Sequence, residues 1–334
     1  MAARKYVGSN QTRGMRLVNT YAINQDNQQI VVDLPRGPHI ESCLVRISGT
    51  INITTAFTGV RNAAAYAFLR RGDWVINSNV TLDSVSGTQL AQLYVTRRNY
   101  PVLVNPASAA LGAQSFDVSF VFDRAIMDMI RPKDSLLKTD VGVSNNQLRL
   151  QLGQLADMFT GAGVATYTAV TASVSVVDYQ EARDPSGNTP SPTFYAKRNG
   201  LILALPAAGN GQQIKLNTGN RLRIASVIVR DATTREPNIS LLSRIRVQRA
   251  GDTRIDMLTQ ELLRFNQATF GVGGGTGILS GQVLVDFANN GQLGIKLSEF
   301  WPIPSSADTF LLVDTTGPSI IELATLEGVD LIGK

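Results

Sequence analysis

The stretch QQIVVDLPRGPHIESCLVRISGT, residues 28–50, recurs as QQIKLNTGNRLRIASVIVRDATT, residues 212–234. Overlaid without a gap at an offset of 184, Gln28, Gln29, Ile30, Ile40, Ser42, Val45, Arg46 and Thr50 face identical residues. Average composition would give about one or two identities over such a length. Further pieces follow in the same order. RRGDWVI (70–76) resembles RAGDTRI (249–255), SGTQLAQLYVTRR (86–98) resembles DMLTQELLRFNQA (256–268), and SFDVSFVFD (115–123) resembles SGQVLVDFA (280–288). The offsets shrink along the chain, which gives the first copy the longer loops. A period of about 180 residues is too long for a solenoid and implies a duplicated domain.

The pattern inside each copy is that of short strands. QQIVVDL, SCLVRISGTINIT, AAYAFL, DWVIN, SFDVSFVF and TASVSVVDY in the first half are rich in Val, Ile, Thr and Phe and are broken by turn residues. GLILAL, RLRIASVIV, SRIRVQ, GQVLVDF, DTFLLVD and SIIELATL do the same in the second. Helical spacing is confined to DMLTQELLRF (Leu258, Leu262, Phe265), QLRLQLGQLADMF (Leu148, Leu152, Leu155, Phe159, with Leu150 off the stripe) and the short DRAIMDMIRP. The fold class is therefore all-β: two tandem eight-stranded antiparallel jelly rolls with a few short helices. RDPSGNTPSP, with three prolines and no apolar residue, reads as the connection. The expected organisation is a basic N-terminal arm over 1–20, a first roll over 21–183, a linker over 184–193 and a second roll over 194–334.

Charge and residue inventory exclude several functions. The chain is 43% hydrophobic and only 17% charged, which suits a protein that buries outer surface against other copies. Its net charge of +5 is concentrated in the leader, where Arg4, Lys5, Arg13 and Arg16 meet no acid before Asp26. Residues 221–254 are basic and 286–334 acidic, so these stretches are expected to face each other between neighbouring subunits. Arg221, Arg223, Arg244 and Arg246 are expected on solvated strand faces or at subunit contacts. No apolar run is long enough to span a membrane as a helix, and the first 30 residues hold no secretion-type apolar stretch.

Catalytic constellations are missing from the sequence. Cys43 alone can form neither an intrachain disulfide nor a cysteine metal cluster, and it reads as a small buried residue. The single histidine, His39, reads as a turn or surface residue. One imidazole cannot build a multi-histidine metal site, and no G-x-S-x-G is present. GVGGGTG (271–277) lacks the Lys and register of a phosphate loop and reads as a flexible loop. A glycosidase would need two carboxylates across a cleft. Glu41, Glu261 and Glu299 are available with Trp74 and Trp301 as sugar platforms, but no motif unites them. The expectation is a non-enzyme with no catalytic, metal-binding or cofactor-binding residues and no cofactor.

A duplicated eight-strand unit, one Pro-rich linker, a basic leader and this bare inventory together resemble the double jelly-roll major capsid proteins of tailless icosahedral viruses. The small versions from membrane-containing bacterial viruses fit best. The resemblance covers about 15 to 330. It implies a structural protein whose rolls stand upright in the shell. Three chains would form a homotrimeric, pseudo-hexagonal capsomer, with NPASAALGAQ and GVGGGTG as outer loops. The leader residues Arg4, Lys5, Arg13 and Arg16 would face an internal lipid membrane or the genome. Implied partners are the protein itself, penton or minor capsid proteins and that membrane, without sequence-specific nucleic acid. Implied localisation is the virion, after synthesis in the host cytoplasm. The competing class is a tandem jelly-roll carbohydrate-binding module or a viral spike or receptor-binding protein.

Overall fold

The structure is a computed structural model. It describes residues 12–37, 39–97, 101–126, 135–137, 139, 143–180, 194–270, 281–288, 300–306 and 308–330. The expected linker, the GVGGGTG loop, Glu299, Arg4 and Lys5 lie outside the described residues, as does most of DRAIMDMIRP.

Sixteen strands carry the architecture. In the first half they are β1 (Thr12–Ile23), β2 (Gln29–Asp33), β3 (His39–Thr55), β4 (Leu69–Ile76), β5 (Val80–Val85), β6 (Gly112–Asp123), β7 (Asn146–Leu152) and β8 (Val164–Gln180). In the second they are β9 (Phe194–Leu205), β10 (Gly209–Lys215), β11 (Arg221–Asp231), β12 (Leu242–Arg249), β13 (Asp252–Leu258), β14 (Gln282–Asp286), β15 (Thr309–Thr315) and β16 (Ser319–Asp330). The pairing orders are β1-β8-β3-β6 and β2-β7-β4-β5, then β9-β16-β11-β14 and β10-β15-β12-β13. Each half is thus an antiparallel jelly roll with the same strand order, so that βn and βn+8 occupy the same place. In both halves a short helix leaves the fifth strand: α1 (Gly87–Gln92) and α2 (Thr259–Phe270).

Period-two burial builds the strands. On β2, Ile30 and Val32 are buried and Val31 is exposed. On β3, Cys43, Val45, Ile47, Ile51 and Ile53 point into one core. The two rolls have separate cores. The first centres on Trp74, Phe68, Phe120 and Phe122, and the second on Val227, Val229, Ile245, Val247, Leu311 and Val313. Phe57 and Phe159 stack at 4.4 Å to close one end of the first roll.

Several sequence expectations are corrected. AAYAFL is a 3₁₀ turn (Ala64–Phe68): the Tyr66 N–H donates to the Ala63 carbonyl at 3.0 Å, and Ala64, Ala65, Tyr66 and Phe68 are all buried, which breaks the alternation a strand needs. QLRLQLGQLADMF is strand β7 followed by the 3₁₀ turn Leu155–Met158. Leu148, Leu150 and Leu152 are all buried, a period of two that outweighs the coincident helical spacing. Of the stripe in DMLTQELLRF only Leu262 is buried, since Leu258 still belongs to β13 and the helix begins at Thr259. RRGDWVI and RAGDTRI are not equivalent: the first is β4, whereas the second runs across the β12–β13 turn. The arm was placed over 1–20, yet β1 begins at Thr12 and pairs with β8 along its length, so 12–20 belong to the first roll.

Candidate functional site: the seam between the rolls

The rolls meet edge to edge. Strand β5 of the first pairs with β9 of the second at Asp83↔Arg198 and Ser84↔Asn199, in parallel. That pairing fuses β2-β7-β4-β5 and β9-β16-β11-β14 into one continuous sheet. The parity of β9 explains why this edge is covered. Phe194, Ala196 and Arg198 all point one way, and all are buried. Phe194 and Ala196 join Ile224, Leu284, Phe300, Ala324 and Leu326 of the second roll and Leu93, Val95 and Ile126 of the first in a third apolar cluster.

Charge is buried at the centre of this contact. Asp83 and Arg124 are fully buried and joined by an ion pair. The Arg124 guanidinium lies over the Trp74 ring, 4.6 Å from its centroid, and donates to the Ala196 carbonyl at 3.0 Å. Arg198 approaches Asp83 Oδ1 at 3.5 Å through its side chain and 3.2 Å through its backbone N–H, and its side chain donates to the Asp123 carbonyl. Burial pulls the Arg124 pKa below its ordinary value and the Asp83 carboxylate works against that. Beneath the cluster, burial pushes the Cys43 thiol up.

Helix α1 forms a second tie. Ser86 and Gln89 make a reciprocal capping box: Gln89 Oε1 accepts from Ser86 N–H at 2.9 Å, and Ser86 Oγ from Gln89 N–H at 3.2 Å. The Gln89 amide also donates across the seam to the Leu201 carbonyl at 3.1 Å. A Cβ on Gly200 would stand 1.9 Å from Gln89 Oε1, so this close approach requires glycine. At the far side, Arg61 of the first roll reaches the Thr234 carbonyl at 3.2 Å and Glu236 at 3.1 Å.

The sequence-predicted residues are dispersed. Arg13 and Arg16 are on β1. Arg13 holds Glu41 at 2.8 and 3.1 Å, and Arg16 holds Asp178 at 2.8 Å. His39 is a correction: it is buried at the start of β3, because β3 begins immediately after the Pro-rich turn. Arg223 is a second, buried and paired with Asp286, since β11 is covered on both faces. Arg244 is solvated as expected, while Arg246 reaches Asp314 at 2.6 Å. Arg230 pairs with Glu322 at 3.0 Å. The basic 221–254 and acidic 286–334 stretches therefore neutralise each other within one chain.

Trp74 is fully buried, and Trp301 stacks on Phe287 at 5.3 Å. Glu41 is buried under Arg13, and Glu261 lies on helix α2. Among the described residues no group of three or more His, Cys, Asp or Glu could hold a metal, and no helix is long and apolar enough to cross a membrane. Asp83, Arg124, Arg198 and Gln89 escaped the sequence reading. The usable signal was Arg198 on the apolar parity of Phe194 and Ala196, where a charge requires a buried partner.

Solved structures share this arrangement. The major capsid protein of Sulfolobus turreted icosahedral virus superposes with a TM-score of 0.74 at 18% identity, covering 96% of this chain and 97% of its own. The major capsid protein of bacteriophage PM2 gives 0.62 at 12%, covering 97% and 100%. The PBCV-1 capsid protein fitted into a reconstruction of the virophage Sputnik gives 0.62 at 12%, covering 100% and 99%. No protein-family model matches the chain, and a search of curated proteins returned no match. At these identities the likeness establishes the fold, a double jelly roll spanning the whole chain.

Proposed function

We propose that this chain is a major capsid protein, which acts by tiling a shell and not by turnover. The observation that carries this reading is the seam. Two rolls of identical strand order are welded edge to edge, so one chain supplies two of the six similar units that fill a hexagonal lattice position. Three chains then close a pseudo-hexagonal capsomer with the rolls upright. The capsid role of the structures with this fold, at 96% or more of both chains, supports the same reading. Electron microscopy of concentrated purified protein tests it. Hexagonal capsomers that associate into sheets or shells are expected, and dispersed single molecules at every concentration would contradict it.

In this reading 184–193 connects the rolls, and penton or minor capsid proteins fill the positions that a hexagonal tile cannot. The chain resides in the virion after synthesis in the host cytoplasm. The leader before β1 carries Arg4 and Lys5 inward toward an anionic lipid leaflet or the genome, with Arg13 and Arg16 at the base of β1. Deleting residues 2–11 is expected to leave the capsomer intact and to reduce sedimentation with anionic vesicles at low salt. Equal vesicle binding by full-length and shortened chains would remove that role.

A further inference from the structure

The welded edge inside the chain has a matching pair of edges left open. β5 and β9 meet in the seam. Their equivalents, β13 and β1, each end a sheet, and among the described residues no strand pairs with the outer edge of either. These open strands carry exposed apolar side chains: Met15 at 67%, Leu17 at 62% and Leu258 at 52%. They also differ in charge. β1 holds Arg13 and Arg16 and no acid, whereas β13 holds Asp252 and Asp256 against Arg254.

The register between them can be read from the internal seam. Met15 and Ser42 both pair with Val177, as Gly200 and Ser226 both pair with Ala324, so Met15 of β1 matches Gly200 of β9 and Arg16 matches Leu201. The helix junctions align the other edge. Gln89 Oε1 accepts from the Ser86 N–H at 2.9 Å, and Glu261 Oε2 accepts from the Leu258 N–H at 3.3 Å, so Ser86 matches Leu258 and Gln89 matches Glu261. In the seam Gln89 lies on Gly200 and Leu201. By the same mapping Glu261 falls on Met15 and Arg16, with Met257 beside Met15 and Leu258 beside Arg16.

We infer that β13 and the start of helix α2 of one copy dock in parallel on the β1 edge of a second copy, bringing Met257 against Met15 and Glu261 against Arg16. The contact repeats the strand pairing of the seam at a wider approach and with different chemistry, since Met15 stands where Gly200 admits Gln89. A capping glutamine over glycine holds the rolls within a chain, and a capping glutamate over arginine holds neighbouring chains. Repeated head to tail, the contact either closes or runs on, and three copies close it. This inference rests on the capsomer reading and adds the strands and residues that form it.

The test is a cysteine pair in the full chain, Met15→Cys with Met257→Cys. The only native thiol, Cys43, is fully buried. Mild oxidation is expected to give covalently closed trimers on non-reducing gels. A control pair, Met15→Cys with Leu111→Cys, uses an exposed residue elsewhere and is expected to give none. Glu261→Arg is expected to raise the trimer dissociation constant by about tenfold or more, as reversing one of two close charges does. Glu261→Gln keeps the cap on the Leu258 N–H and removes only the charge, so it should weaken the trimer at an unchanged thermal midpoint, whereas Glu261→Arg also loses the cap. Trimers that fail to cross-link at 15/257 and ignore Glu261→Arg would overturn this contact and leave the capsomer standing. A wild-type chain that stays monomeric at every concentration would overturn both.

Discussion

The β1-β8-β3-β6 sheet of the first roll and the β9-β16-β11-β14 sheet of the second share one strand order and meet opposite surroundings. Away from the β1 edge, the outer face of the first is open and polar. Arg46 grips Asp117 at 2.5 and 3.0 Å, and hydroxyls pair across strands at Thr50–Ser115 (3.3 Å) and Thr20–Ser173 (3.4 Å). The equivalent face of the second roll is covered by the first and lined by Phe194, Ala196, Ile224, Leu284, Ala324 and Leu326. Strand β11 accordingly reads as a nearly unbroken apolar run, the signature of a strand buried on both faces, whereas β3 alternates along its exposed half. The difference teaches that pairing history, not topology, writes the side chains. A face sealed during folding can be greasy, while a face left in water has to stay soluble.

The largest effect that should follow is at the seam's charge cluster. Asp83→Asn leaves Arg124 buried without its carboxylate, at a cost of about 3–5 kcal/mol. Thermal unfolding should show it at high and low salt alike. A loss that vanishes in 1 M salt would mean the cluster is hydrated and the seam open. Gly200→Ala comes next. Its Cβ displaces Gln89 from the capping box and costs about 1–2 kcal/mol, and Gln89→Ala in the same chain should recover part of that, as a double-mutant cycle would reveal. Additive losses would detach α1 from the seam.

Arg46→Ala, on the open face, marks the other side of the comparison. The exposed pair with Asp117 should leave the unfolding midpoint of the isolated chain unchanged. A clear drop there would mean the two faces are energetically alike. The smallest effect concerns pH. Cys43 has Val227 at its place in the second roll, and burial raises its pKa above the ordinary thiol value of about 8.5. A raised thiol contributes stability below that value and loses it as pH rises, because only the unfolded chain ionises. Cys43→Val should therefore flatten the alkaline limb of the stability profile and leave pH 7 unchanged. Equal alkaline limbs would place Cys43 in contact with water.

The legible part of this molecule was local or repeated. Alternating Val, Ile and Phe gave nearly every strand, the 28–50 and 212–234 match located equivalent second and third strands, and Cys43 is buried as its neighbours Leu44 and Val45 implied. What escaped was long-range. Asp83, Arg124 and Arg198 come from three separated segments, and their partnership exists only once β5 and β9 lie side by side. RAGDTRI misled because a Gly-Asp pair serves a turn in one copy and a strand in the other. Arg223 and His39 misled because polar character was read as exposure, while the fold supplies Arg223 with Asp286 and starts β3 at His39. The basic and acidic stretches were seen correctly and assigned to the wrong pairing: Arg230–Glu322 and Arg246–Asp314 close within one chain.

The central claim is that one roll, written twice and welded at its edge, is a unit for tiling. The mass of the purified assembly in solution, by native mass spectrometry across a concentration series, tests it most directly. The account predicts a dominant species of about 108 kDa, three times the 36.0 kDa chain. A monomer throughout the series, or a closed dimer, would contradict it.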